Sequence, residues 1–138
     1  MDSSCEYAPN LVLLATAWGP KHGGINAFNV ELARSLAILP ERNFNLFCVV
    51  PLATEEEIAD AHRDRVRLVS LDAATPSDGT FGVDRAAAIV DRISAAECLL
   101  DRIVWIGHDD KTGFLAIALR DACTGSKALL VHLMAARA

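Results

Sequence analysis

The sequence predicts a doubly wound, parallel α/β sheet of about five strands in the order 3-2-1-4-5, a three-layer Rossmann-like domain. Three observations predict it. Short apolar runs alternate with stretches of helical periodicity from Leu11 to His132, the pattern of βα units with right-handed crossovers. The first run, Leu11–Thr16, is apolar almost without interruption, as in a strand covered on both faces. It leads into a turn holding Gly19, Gly23 and Gly24 and then directly into a helix, the kind of junction at which such sheets bind ligands.

Each element has its own justification. In the helix after the glycine turn, Ile25, Phe28, Leu32 and Leu36 recur at spacings of three and four and form one apolar stripe, and Pro40 closes it. Phe44–Val50, rich in aromatic and β-branched residues, is the second strand, ended by Pro51. Thr54-Glu55-Glu56-Glu57 reads as a capping box: Thr54 accepts from the third helical N–H, Glu57 reaches back, and the carboxylates suit the positive end of that helix. Val66–Leu71 is the third strand, and Asp72–Gly82, with Pro76, Gly79 and Gly82, is a loop. A helix over Val83–Leu100 turns Ala86, Ile89, Val90 and Ile93 inward. Ile103–Ile106 is the fourth strand. Gly107–Gly113 is the loop after it, Phe114–Ala122 a helix, and Ala128–Val131 a fifth strand reaching His132.

The chain of 138 residues is one domain at most. Its 52% apolar and 22% charged content is that of a folded globular protein. A net charge of −5 excludes a nucleic-acid-binding surface, which needs clustered cations. The one local cluster, Arg63-Asp64-Arg65-Val66-Arg67, is broken by Asp64 and Val66 and reads as a solvated edge. The polar, acidic start MDSSCEYAPN is no signal peptide. No apolar run approaches the roughly 20 residues of a membrane helix, so no transmembrane segment is expected. Cys5, Cys48, Cys98 and Cys123 form no CxxC pair, so no zinc site is expected, and with no Asp-x-Asp motif in the sequence no other metal and no cofactor is expected either. They read as reduced thiols in a cytoplasmic protein. Cys48 falls in a strand pattern, Cys98 and Cys123 in helical ones.

The glycine turn is neither of the two common nucleotide loops, since Gly19-Pro-Lys-His-Gly-Gly-Ile-Asn supplies neither GxxxxGK[ST] nor GxGxxG. Residues Leu11–Leu36 instead resemble the N-terminal loop of GT-B retaining glycosyltransferases of the family 4 type. In those enzymes a strand leads to a Gly-Gly pair and a helix reading small-x-x-hydrophobic-x-x-x-Leu-Ala-x-x-Leu. Gly23-Gly24-Ile25-Asn26 begins that helix here, and Glu31-Leu32-Ala33-Arg34-Ser35-Leu36 continues it. The family also carries a His just after the fourth strand, near the donor sugar, and Val104-Trp105-Ile106-Gly107-His108-Asp109 matches that placement. The likeness spans Leu11 to His132. Two departures stand against it: the carboxy-terminal domain that holds most of the donor site is absent, and no two glutamates stand eight positions apart as in the Glu-x7-Glu signature. The resemblance therefore implies the N-terminal, acceptor-side half of a glycosyltransferase, incomplete at its carboxyl end and inactive alone. Its partners would be a nucleotide-sugar or a sugar acceptor, and a C-terminal donor-binding domain or partner chain. The alternative is a non-catalytic binding or sensing module built on the same fold.

The site residues follow. At the switch point between strands one and four the order of the sheet brings Trp18–Gly24 beside Gly107–Gly113. By the resemblance, His108 approaches the transferred sugar as the catalytic residue, and Gly23, Gly24, Asn26, Asp109 and Lys111 line the donor or substrate site. Gly24 is the position where a side chain would occupy an anion's space and resist a positive φ. For each residue a plainer role stands beside the functional one. His108 reads equally as a capping or neighbour-bonding histidine, Asn26 as a residue of the helix start, Lys111 as a solvated ion pair beside two aspartates. Asp110 and Thr112 read as N-caps. Trp18 reads as a stacking surface or as packing, and His22 and Lys21 as loop surface. His132, at a strand end, shares the ambiguity of His108. Gly107-His108-Asp109 is also similar to the nucleophile elbow of α/β-hydrolases that use Asp, but that turn needs a small residue where Lys111 stands.

Overall fold

The computed structural model describes residues 8–40, 43–74, 80–96 and 100–132. Cys5, Pro76, Gly79 and Cys98 lie outside the described residues. Five parallel strands form one sheet: β1 (Asn10–Leu14), β2 (Asn45–Val50), β3 (Arg67–Ser70), β4 (Ile103–His108) and β5 (Lys127–Val131), in the order β3-β2-β1-β4-β5. Among the described residues four helices cover it: α1 (Gly24–Ala37), α2 (Glu55–Arg63), α3 (Ala86–Ala95) and α4 (Asp109–Ala122). This is the expected doubly wound Rossmann-like sheet.

The pleat sorts the apolar residues to two faces. Leu13, Ala15, Leu46, Cys48, Val50 and Ile106 meet Val30, Ala33 and Ala37 of α1 and Ala61 of α2. Val12, Leu14, Phe47, Val49, Ile103 and Trp105 meet Ile89 and Ile93 of α3 and Leu115, Ala116 and Leu119 of α4. With both faces covered, β1, β2 and β4 read as continuous apolar runs. β5 is less covered: Leu129 is 53% and Leu130 39% exposed.

Several boundaries and faces differ from the sequence expectation. The buried stripe of α1 is Asn26, Asn29, Val30, Ala33 and Ala37, while Ile25, Phe28, Leu32 and Leu36 are only partly covered. Small residues and two asparagines let this helix lie close to the sheet, and the larger residues flank the contact. The helix expected over Val83–Leu100 is a short 3-10 turn (Val83–Arg85) followed by α3, which ends at Ala95; Leu100 belongs to a second 3-10 turn, Leu100–Arg102. β4 runs two residues past Ile106, and α4 begins at Asp109 rather than near Phe114. The expected loop Gly107–Gly113 is therefore a strand end joined directly to a helical first turn. Cys123 lies just past the end of α4, in extended backbone.

Candidate functional site

β1 ends beneath a long turn, residues 15–23, that leads to α1. Within it Pro20–His22 form a single 3-10 turn, and Gly23 follows with φ 110° and ψ 173°. That backbone is open almost only to glycine. Gly24 is not in a positive-φ conformation; the position that demands glycine is Gly23. A Cβ added to either residue meets nothing within 4 Å, so the backbone here faces open space. α1 starts with no capping side chain and no acid in its first turn. Its leading N–H groups and the positive end of its dipole are thus directed at solvent.

Asn26 holds this turn in shape. Its Nδ2 donates to Thr16 Oγ1 at 3.0 Å and to the His22 carbonyl at 3.0 Å. Its Oδ1 accepts from the Ala17 N–H and the Thr16 hydroxyl, both at 3.3 Å. The amide is buried and fully used within the turn, the helix-start role. Trp18 is 1% exposed, and its indole N–H donates to Asp60 Oδ2 at 3.0 Å. It packs rather than presenting a face for stacking. The Trp18 N–H holds the Asp60 carboxyl below its usual range against the opposing effect of burial, with Arg63 and Arg34 adding to it.

The capping box on α2 forms as the spacing predicts: Thr54 Oγ1 accepts from the Glu57 N–H at 3.1 Å, and Glu57 Oε1 accepts from the Thr54 N–H at 2.9 Å. The other oxygen, Oε2, lies 2.8 Å from His22 Nε2. Burial pushes the Glu57 pKa up, but the Thr54 N–H and His22 outweigh it and hold the carboxyl below its ordinary value. The His22–Glu57 contact joins the glycine turn to α2. Between them, at the carboxyl ends of β1 and β2, opens a cleft of about 360 Å³ lined by Thr16, Ala17, His22, Asn26, Leu52, Thr54 and Glu57. Sequence reasoning found the cap but not the cleft. The signal it lacked was the pairing of His22 with Glu57, which are 35 positions apart.

His108, at the end of β4, points under α1 and is 2% exposed. Its Nε2 lies 2.6 Å from Asn29 Oδ1, and Asn29 Nδ2 donates to Cys48 Sγ at 3.5 Å. With the amide oxygen as acceptor, Nε2 carries the imidazole proton. Phe28 closes over the ring edge-on, with centroids 6.0 Å apart. Burial depresses the His108 pKa, opposed by the charge of Asp109, and burial pushes the Cys48 thiol up to about 12. Asn29 was not singled out from the sequence. Its signal is a polar residue on the inward stripe of an otherwise small, apolar helix face.

The expected N-caps of α4 are replaced. His108 is the N-cap residue and offers no side-chain cap; Thr112, buried one turn in, instead accepts from the His108 backbone N–H at 2.6 Å. Asp109 takes a left-handed φ of 47° at the strand–helix junction, and its Oδ1 lies 3.0 Å from His132 Nδ1. Lys111 is partly exposed in the first turn, and its carbonyl accepts from the Phe81 N–H at 2.8 Å. Gly23, Gly24 and Asn26 therefore stand together on the β1 side. Asp109 and Lys111 stand on the β4 side, with His108 beneath α1. Among the described residues no three His, Cys, Asp or Glu side chains gather in a way that would hold a metal ion, and no helix is long and apolar enough to cross a membrane.

Comparison with known proteins agrees with this architecture at the level of family. The family described as "Family 4 Glycosyltransferase in conflict systems" matches residues 12–138. No curated protein and no solved structure matches the chain. The match begins inside β1 and takes in the glycine turn, the cleft and the β4–α4 junction. On this evidence the chain belongs to the family 4 glycosyltransferases of conflict systems.

Proposed function

We propose that this domain is the acceptor-side half of a GT-B glycosyltransferase that transfers a sugar from a nucleotide-sugar, completed by a C-terminal donor-binding domain or a partner chain. The observation that carries the reading is the Gly23–Gly24 turn: open space around both glycines, at the start of a helix with neither cap nor acid. Such a helix start attracts a diphosphate through backbone N–H groups and the helix dipole. Transfer then leans on electrostatic stabilisation of the departing nucleotide diphosphate. Asp109 and Lys111 contribute polar contacts from the neighbouring rim. His108 is a positioning residue as held here, because its Nε2–H is committed to Asn29 on α1. The sugar contact that the family resemblance implies for it requires Phe28 and Asn29 to move aside when the two halves close.

A second reading, a binding or sensing module without turnover, is favoured by the burial of His108. The two share one test of the ligand, and turnover by the chain alone is expected of neither. NMR titration of the chain with UDP is expected to shift Gly23, Gly24 and Ile25, with affinity no better than roughly millimolar, about 4 kcal/mol. Gly24→Val fits the space available and keeps the fold, but its side chain fills the anion's place and abolishes the shifts. Shifts confined to residues far from the turn would refute both readings. The chain alone is expected to turn over no UDP-, GDP- or ADP-sugar. Turnover by the chain alone would overturn the sensing reading and the expectation that this half is inactive by itself, and its loss in a His108→Ala variant that remains folded would make His108 part of the enzyme's machinery.

A further inference from the structure

The cleft beside the glycine turn has a chemistry of its own. Its walls carry the hydroxyls of Thr16 and Thr54, the His22 ring and the Glu57 carboxylate, with Leu52, 51% exposed, as an apolar lip. At about 360 Å³ it lies at the small end of the roughly 300–1,000 Å³ range of ligand pockets. No Lys or Arg is among the described residues that line it. His22 is the one lining group able to carry positive charge, and its Nε2 is spent on Glu57.

Glu57 decides what this cleft accepts. Its side chain is only 12% exposed, and each carboxylate oxygen already receives one hydrogen bond, from Thr54 and from His22. A carboxylate oxygen has two acceptor sites, so each keeps capacity for a hydroxyl donor. Glu55 and Glu56, exposed in the same first turn, add to the negative charge nearby. An incoming phosphate or carboxylate would lose its hydration and meet a fixed like charge. The glycine turn across His22 has the opposite preference.

We propose that this cleft is an acceptor subsite for an uncharged, hydroxyl-bearing compound, a neutral sugar or polyol, and that the Glu57 carboxylate discriminates against phosphorylated acceptors. The assignment rests on the glycosyltransferase reading above and adds to it the class of acceptor. Hydroxyls of the ligand donate to Glu57 and to the remaining lone pair of Thr16 and accept from the Thr54 hydroxyl, while a C–H face of the ring lies on Leu52. Donor diphosphate and acceptor are then sorted by charge to the two sides of His22.

The test is NMR titration of the chain with glucose, mannose and galactose and with their 6-phosphates. At least one neutral sugar is expected to shift the amide resonances of Thr16, His22 and Thr54, and its 6-phosphate to bind about tenfold more weakly at low salt. Glu57→Gln preserves the capping box, since Gln serves there as well as Glu, and is expected to bring the two forms to within about threefold of each other. The proposal is overturned if a 6-phosphate binds as well as its neutral parent, if no sugar shifts the cleft, or if Glu57→Gln leaves the discrimination intact. Should the variant fail to fold, the wild-type comparison of each sugar with its phosphate still decides. UDP shifts at Gly23 and Gly24 without sugar shifts in the cleft would sink this subsite and leave the donor reading standing; sugar shifts without UDP shifts would do the reverse.

Discussion

Two strand-to-helix junctions meet at the centre of this sheet, β1 into α1 and β4 into α4, and they are filled in opposite ways. The first is long and open: residues 15–23 separate strand from helix, and neither Gly23 nor Gly24 has an atom within 4 Å of where a side chain would begin. The second has no connecting residues at all, because His108 ends the strand and Asp109 starts the helix. There a Cβ on Gly107 would stand 2.8 Å from the Thr112 carbonyl oxygen, 2.9 Å from Gly113 Cα and 3.0 Å from Ala116 Cβ. Glycine serves exposure in one junction and close packing in the other. One junction can therefore accept a ligand while its neighbour fixes the helices around it.

The contrast is broken most forcefully at Gly107. The atoms it would strike are backbone or a fixed methyl, so nothing can rotate away. Gly107→Ala is expected to cost about 3 kcal/mol, the upper part of the range for overpacking, read as a fall in the denaturant midpoint at unchanged slope. A loss under about 1 kcal/mol would show that the β4–α4 junction is not sealed as described. Asn29→Ala tests the seal from above. It leaves the buried Nε2–H of His108 without an acceptor, and the expected loss is about 2 kcal/mol. An unchanged midpoint would mean that the His108–Asn29 bond contributes nothing to holding α1 down.

The same burial makes His108 a source of pH dependence, and the sign can be worked out. Its folded pKa lies below the ordinary value of 6.5. Below pH 6.5 the unfolded chain binds a proton that the folded chain refuses, so the unfolded state gains. Stability contributed by neutral His108 is full above pH 6.5 and is lost as pH falls from 6.5 toward the depressed folded value. Thermal midpoints between about pH 5 and 7 should fall toward the acid side in the wild type and fall less steeply in His108→Gln. Equal slopes in the two proteins would place His108 in a solvated setting.

The sheet order, both helical layers and the capping box at Thr54 and Glu57 were legible because they rest on local pattern: continuous apolar strands, periodic helices, a cap at fixed spacing. The β4–α4 junction was not. His108 through Thr112 is a run of polar residues after an apolar strand, and such a run reads as a loop offered to solvent. In the fold, Thr112 turns inward to the His108 N–H and His108 slides beneath α1, contacts that join positions four and 79 apart. The position of α1's buried stripe was missed for a related reason. Hydrophobic size points to Ile25, Phe28, Leu32 and Leu36, whereas a helix that lies close to a sheet buries its small residues and any polar group with a partner beneath it. The cleft was illegible because His22 and Glu57 come from separate elements, and only the tertiary fold shows that they meet.

The smallest expected effect lies at the open junction, and it separates two glycines that the sequence presents as a pair. Gly23 sits at φ 110° and ψ 173°, a conformation that costs a side-chain-bearing residue about 1–3 kcal/mol. Gly24 begins α1 outside the positive-φ region, with free space around it. An alanine there keeps the native backbone and restricts the unfolded chain, so Gly24→Ala should stabilise by about 0.5 kcal/mol, while Gly23→Ala destabilises although neither touches a neighbour. Denaturant midpoints of the two variants measured side by side decide the matter. If Gly24→Ala proves the costlier change, the turn is held by Gly24 and the helix starts elsewhere. If both are neutral, the backbone at Gly23 relaxes without strain and the turn is less rigid than its hydrogen bonds to Asn26 imply.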